Sequence, residues 1–530
     1  MMSRLHHIRN TFKDALLYSG GSILSKIVGF IMLPVYAYYL GGEGYGIIAM
    51  IEVVLGLLVM LIGYGVSGSM RRFYFTKQSE EERNIFVSTN MILMFILVFI
   101  ISFPAFFFTD QLAFLAFGKP GMGYFILLGL LNFWAEMTSQ TAESYILIRQ
   151  RSVMYFTLII IKIFIILSLN IYFIVILKIG VMGYILSGLI GSIYFTITAH
   201  VFAFVNVGVH FNSSDAKQIL KFSLPMLPGY LAAFIRSNSD RIFLRKYLGL
   251  AQLGAFEMLF KFATLIGIII VEPFMKSWDV KRYEVCDTID GPPIISHVFN
   301  FHLAIMLTIG LVLSLEIPLL LKILTPPEFW LGSLAALFAV TSRIINATYY
   351  HFFFGLLHAK ETFKISIIQM VSALTSLVLN IILIKPFGVM GALIVSCVVA
   401  SLQSFLAYNM SKKYYQIPFE WSKIILMTFL MGAVFIIINM VTISGTFLGT
   451  WIDHSISQPI RNILEQSSLQ SLKNSKIIYH TLNNLILIIE GGIKFICSFI
   501  YPVLLIYLDI IPGKENLRKI GWLTFQKNTR

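Results

Sequence analysis

Twelve charged residues lie where the chain is otherwise apolar, and they are the groups most able to do chemistry. Lys26 and Arg343 stand near the middle of long hydrophobic runs with no acidic residue three or four positions away. A charge at the centre of a membrane span costs roughly 2.5 to 3.5 kcal/mol on insertion scales, so each needs a partner, a water-filled cavity or a task. Arg236 and Asp240, Glu257 and Lys261, and Glu490 and Lys494 are each one helical turn apart, where opposite charges neutralise each other. Glu136 and Lys162 fall at similar depth on neighbouring antiparallel runs. Snorkelling is the plain alternative for Lys26, and pairing with an acid of another helix, such as Glu136, is the plain alternative for Arg343. As ligands, Lys26, Arg236, Lys261 and Arg343 suit an anionic substrate, because a guanidinium grips phosphate through two parallel N–H bonds. Glu52, Glu136, Glu143, Asp240 and Glu257 are then either ion-pair partners or sites for a coupling ion, proton or sodium.

The elements that must position these groups are membrane helices. Of the residues 57% are hydrophobic and only 12% charged, with a mean hydropathy of +0.82, far from the roughly 25% charged residues of soluble domains. The net charge of +14 is accordingly read by location and not as nucleic-acid binding. Cys286, Cys397 and Cys497 are scattered and read as packing residues, not as a disulfide framework or a CxxC metal site. No GxxxxGK[ST], HExxH or GxSxG motif occurs, and the polar loops are short, so no enzyme, cofactor or metal is called for.

About 20 apolar residues cross the roughly 30 Å hydrocarbon core. On that basis fourteen spans are expected, near 15–39, 45–68, 85–109, 122–147, 153–177, 181–205, 219–243, 251–274, 295–323, 330–357, 363–384, 387–410, 422–446 and 484–511. With both termini inside, the inner segments hold 24 of the 40 Lys and Arg residues and the outer segments ten, as retention of positive charge on the cytoplasmic side requires. The outer cluster Arg241, Arg245 and Lys246 and the long polar loop 447–483 are the exceptions. That loop is either a connector or an interfacial helix with Ile460, Ile463 and Leu464 near one face.

The chain also repeats itself. YYLGGEGYGIIAM at 38–50 returns as KYLGLAQLGAFEM at 246–258, so that Gly41 matches Gly249 and Gly46 matches Gly254; Gly180-Val181-Met182-Gly183 returns at 388–391. Both echoes keep an offset of 208 residues, which is a duplication. Six helices separate the copies, so they share one orientation and are expected to form two parallel six-helix bundles, 1–210 and 211–415, facing a central cavity. Residues 416–530 add two further helices and a basic tail. Breakers at Gly20-Gly21 and Pro34, and at Pro225 and Pro228-Gly229, fall in the first span of each copy and either point towards a substrate site or reflect the greater frequency of Gly and Pro in membrane helices.

The six plus six plus two arrangement, the SGGSILSKIVGFIMLPVYAYYLGGEGYG opening, the SDRIFLRKYLGLAQLGAF stretch and the paired GVMG turns resemble the polysaccharide transporter family. This family comprises the O-antigen and exopolysaccharide flippases of the superfamily that also holds MATE exporters and the lipid II flippase. The resemblance covers residues 10 to 510. It implies a bacterial plasma-membrane flippase moving polyprenyl-pyrophosphate-linked oligosaccharide by alternating access, with a polysaccharide polymerase or export machinery as partner. Lys26, Arg236 and Lys261 match the cavity-lining helices of such transporters, whereas Arg343 rests on this sequence. The rivals are a MATE-like cation-coupled exporter, which an acidic cavity would suit, and a membrane glycan polymerase or ligase, for which 447–483 is the available catalytic loop.

Overall fold

The computed structural model describes residues 20–442 apart from 22 and 63–64, and 488–510 apart from 490 and 509. The loop 447–483, the basic tail and the Glu490–Lys494 pair expected from spacing therefore lie outside the described residues. Within them every regular element is helical, because long apolar runs can satisfy their backbone in a bilayer only by hydrogen bonding within the segment.

In chain order, a helical stretch at 23–31 leads into α1 (Leu33–Ile62), α2 (Gly65–Phe73), α3 (Glu80–Phe107), α4 (Thr109–Phe117), α5 (Gly123–Ile148), α6 (Ser152–Asn170), α7 (Val181–Val207), α8 (Ser213–Ser223) and α9 (Leu227–Leu248). There follow α10 (Leu250–Ala263), α11 (Glu272–Val285), α12 (Gly291–Leu324), α13 (Ser333–Phe352), α14 (Phe354–His358), α15 (Thr362–Ser411), α16 (Trp421–Thr442) and α17 (Ile500–Tyr507). Nine helical stretches are long and apolar enough to cross a membrane among the described residues, against the fourteen spans expected. The first and last expected spans, 15–39 and 484–511, fall partly outside the described residues, and the other three differences have physical causes. α15 carries two expected spans in one 50-residue helix bent at Gly388, and α5 and α13 are long helices whose polar residues lower their hydropathy. Large apolar side chains such as Phe99, Phe103 and Phe107 on α3 are exposed, the surface of a multi-pass membrane protein whose solvent is lipid.

Two compact units are present, one formed by 1–258 with 366–395 and the other by 259–365 with 396–530. In the first unit the duplication is visible as backbone geometry. Gly41 (φ 67°, ψ 178°) and its counterpart Gly249 (φ 87°, ψ 176°) share one conformation. Gly180 (φ 60°, ψ −135°) and Gly388 (φ 58°, ψ −136°) share another. A side chain at positive φ with extended ψ is strained, so the sequence keeps glycine at each of the four turns. The repeated segments also touch. A Cβ on Gly46 would lie 2.0 Å from the Leu250 carbonyl oxygen, and a Cβ on Gly254 would lie 2.0 Å from that of Gly42. Residues 42 and 250, like 46 and 254, are related by the 208-residue offset, so this is one contact made twice about a local twofold axis. Small residues four apart let helix backbones approach in just this way.

The expected breakers are found at the start of the second copy: Leu224–Met226 is a 3₁₀ turn between α8 and α9, with Pro225 and Pro228 in the first turns of the elements they open. In the second unit α12 packs on α13 and α16, and α17 on α16.

Candidate functional site

Helix α5 sets the first unit's polar interior. Asn132, Glu136 and Gln140 recur every fourth residue, so they line one face of the helix. That face borders a cavity of about 510 Å³ completed by Glu52 of α1, Asn170 of α6 and Tyr184 of α7. Lys162 of α6 stands 3.8 Å from Glu136, the pairing that depth matching anticipated, and the Ser192 hydroxyl donates to the same carboxylate at 3.3 Å. The Asn170 amide donates to the Tyr36 hydroxyl at 3.1 Å. The side-chain oxygens of Asn132 and Asn170 are buried and accept no hydrogen bond. The cavity lining therefore holds two carboxylates, Glu52 and Glu136, and three side-chain amides, Asn132, Gln140 and Asn170, with Lys162 beside Glu136, a donor set that suits a small cation or a proton. Glu143 lies further along α5, where it accepts a hydrogen bond from the Tyr155 hydroxyl at 3.0 Å.

The cations divide between the units: Lys26 and Arg236 belong to the first, Lys261 and Arg343 to the second. Lys26 is half-buried on the helical stretch 23–31. Arg236 is half-buried on α9 and its Nε donates to the Gln369 side chain at 3.2 Å. Lys261 is exposed on α10. Arg343, half-buried on α13, lies over the Phe260 ring with 4.7 Å from its guanidinium carbon to the ring centroid, a cation–π contact.

Glu257 of α10 takes a partner from α9. Arg241 takes Glu257, with Nε 2.5 Å from Oε1 and an Nη2 hydrogen bond to Oε2 at 3.2 Å, and it lies 3.5 Å from Asp240. Glu257 is 3% exposed, so the close ion pair and its hydrogen bond compensate a carboxylate removed from water. Arg241, counted among outer-loop cations from sequence, is thus an internal ion-pair residue. Its neighbour Arg245 donates to the Phe114 carbonyl at 2.9 Å, at the C-terminal end of α4, where the helix dipole favours a cation.

Sequence reasoning missed the neutral polar lining, although the four-residue spacing of Asn132, Glu136 and Gln140 was a readable signal. It also missed a buried pair in the second unit, where His302 Nδ1 and His351 Nε2 stand 2.9 Å apart and Phe274 stacks on His302 at 3.8 Å between centroids. Nothing in the spacing of two histidines 49 positions apart predicts that meeting.

Comparison with known proteins places this architecture. A protein of the Lsg locus of Haemophilus influenzae is 25% identical over 262 residues, which cover 49% of this chain and 63% of that relative's length. The structure of the lipid II flippase MurJ in an inward closed conformation superposes with a TM-score of 0.67 at 13% identity, over 94% of this chain and all of that one. An inward-facing multidrug resistance MATE transporter of the MOP superfamily superposes with a TM-score of 0.59 at 14% identity, over 73% of this chain and 94% of that one. At such identities these likenesses concern the fold. The family described as Polysaccharide biosynthesis protein matches residues 11–278, half of the sequence, and the chain belongs to that family.

Proposed function

We propose that this protein is a flippase that carries a polyprenyl-pyrophosphate-linked oligosaccharide across the bacterial plasma membrane by alternating access, with both termini cytoplasmic. The reading is carried by one observation: a member of a polysaccharide biosynthesis family is, among its described residues, built of membrane helices throughout. What such a chain offers glycan assembly is passage through the bilayer. A diphosphate does not cross hydrocarbon unaided, because its charge loses water without replacement. In this reading Lys26, Arg236, Lys261 and Arg343 contact the pyrophosphate or sugar, and the repeats 1–210 and 211–415 rock against each other. The acidic cavity of the first unit, with Glu52 and Glu136, takes the coupling ion, proton or sodium. Polysaccharide polymerase or export machinery consumes the product on the outer side.

The acidic cavity also favours a second reading, a MATE-like exporter of small organic cations. One experiment separates the two. In vesicles holding the purified protein, a labelled short-chain polyprenyl-pyrophosphate oligosaccharide is expected to change leaflets, and folded Lys26→Ala and Arg236→Ala variants are expected to transfer it poorly. Inactivity on pyrophosphate lipids under an imposed gradient, together with expulsion of small organic cations, overturns the flippase in favour of the exporter.

A further inference from the structure

The second unit contains a cluster that neither glycan passage nor ion coupling uses. Cys286 caps the C-terminus of α11, Asp287 follows it, and His358 ends α14. Cys286 Sγ lies 3.9 Å from His358 Nδ1, and His358 Nε2 lies 3.7 Å from Asp287 Oδ1. One ligand atom from each of the three residues lies within 4.8 Å of the other two, the single such grouping of His, Cys, Asp and Glu among the described residues.

The surroundings hold two of these groups in place. The Tyr415 hydroxyl donates to the Cys286 carbonyl at 2.7 Å, and its ring packs on the His358 imidazole with 5.4 Å between centroids. The Phe354 ring lies 6.0 Å from that imidazole between centroids. Asp287 is the movable member, its side chain 79% exposed. Two neighbouring cations are matched by acids: Arg282 stands 2.9 Å from Asp279, and Lys364 stands 3.4 Å from Glu361.

We propose that Cys286, Asp287 and His358 bind a zinc-class divalent cation that ties the segment after α11 to the end of α14. Tetrahedral zinc, with bonds of about 2.3 Å to sulfur and about 2.0 to 2.2 Å to nitrogen and oxygen, sets its ligands about 3.3 to 3.6 Å apart. The Cys286 Sγ to His358 Nδ1 distance of 3.9 Å exceeds that by a few tenths of an ångström, which a small rotation closes. One imidazole nitrogen takes the metal. With Nδ1 bound beside Cys286, the exposed Asp287 swings across to complete the set, and water fills the fourth position. Thiolate with imidazole selects zinc over magnesium or calcium, whose ligands are oxygens. Both joined segments carry the Lys and Arg residues expected to face the cytoplasm, so the tie forms at that end of the unit.

The test uses the full-length protein in detergent. After chelation it is equilibrated with Zn²⁺, and bound zinc is measured by elemental analysis. One zinc per chain is expected, with affinity lowered about 100-fold or more in Cys286→Ser and in His358→Ala and unchanged in Cys397→Ser, whose thiol bonds the Phe338 carbonyl elsewhere in the unit. Substitution of Co²⁺ into the wild type is expected to give a thiolate-to-cobalt charge-transfer band. Absence of that band, or full zinc affinity in Cys286→Ser, overturns the proposal, and the cobalt spectrum decides even where a variant does not fold.

Discussion

Gly254→Ala probes the twofold contact of the repeat most directly. The added methyl would stand 2.0 Å from the Gly42 oxygen and 2.9 Å from its carbonyl carbon, whereas side-chain Cβ atoms essentially never come within 3.0 Å of such atoms. The obstacle is backbone, which has no rotamer to turn away, so the two segments must separate by about 1 Å. Overpacking of this kind costs about 1 to 3 kcal/mol, here at the upper end. Replacing a helical glycine by alanine returns up to about 1 kcal/mol of helix propensity. The net expectation is a loss of about 2 kcal/mol in Gly254→Ala, and the same in Gly46→Ala because its clash with Leu250 is the same contact. In the double variant the segments separate once to relieve both clashes. Its cost is therefore expected to fall below the sum of the singles by about 1 kcal/mol or more, the coupling of sites that share a partner. Reversible unfolding in detergent micelles measures all three, with Gly432→Ala as control, since nothing lies within 4 Å of a Cβ there. Gly254→Ala as stable as Gly432→Ala, or strictly additive single costs, would refute the reciprocal contact.

Arg241→Ala is expected to cost about 3 to 5 kcal/mol by leaving Glu257 charged and buried, and the double Arg241→Met, Glu257→Met to be milder than either single, as read by thermal unfolding. His351→Ala should lose about 1 to 3 kcal/mol by orphaning His302, more than loss of an exposed histidine such as His297; equal unfolding midpoints would deny the pair any stabilising part. Glu52→Gln and Glu136→Gln are expected to retain lipid transfer down its own gradient while losing its response to an imposed proton or sodium gradient, measured in the same vesicles. If both variants respond to the gradient as the wild type does, the coupling ion binds elsewhere. Arg236→Lys keeps the charge but loses the guanidinium fork, so lipid transfer is expected to fall about tenfold with unfolding unchanged; full transfer by this variant would remove Arg236 from substrate recognition.

What the sequence made legible follows from which physical demands are local. Gly41, Gly180, Gly249 and Gly388 answer to a backbone angle at their own position, so the echo at an offset of 208 survived in the letters. Hydropathy found the apolar helices but was weakest on α5 and α13, because the residues that make those helices interesting, Asn132 with Glu136 and Arg343, are the ones that dilute the signal. Pairing was the least legible. Spacing of three or four puts two charges on one face of one helix and says nothing of how that helix is rotated towards its neighbours. Arg241 reaches Glu257 through such a rotation, and His302 reaches His351 through another. Glu136 with Lys162 was legible because antiparallel neighbours of known length fix relative depth.

The contact at Gly42, Gly46, Leu250 and Gly254 has an ancestral meaning as well. A surface that meets its own copy through equivalent residues is self-complementary, so a half-length precursor carrying only YYLGGEGYG would present Gly42 and Gly46 to a second molecule of itself and associate as a homodimer. Fusion of two such genes would convert that association into an internal joint and release each half to change alone. The two sides of the contact already differ in this way, since residue 42 is glycine where its counterpart 250 is leucine, while Gly46 and Gly254 remain alike.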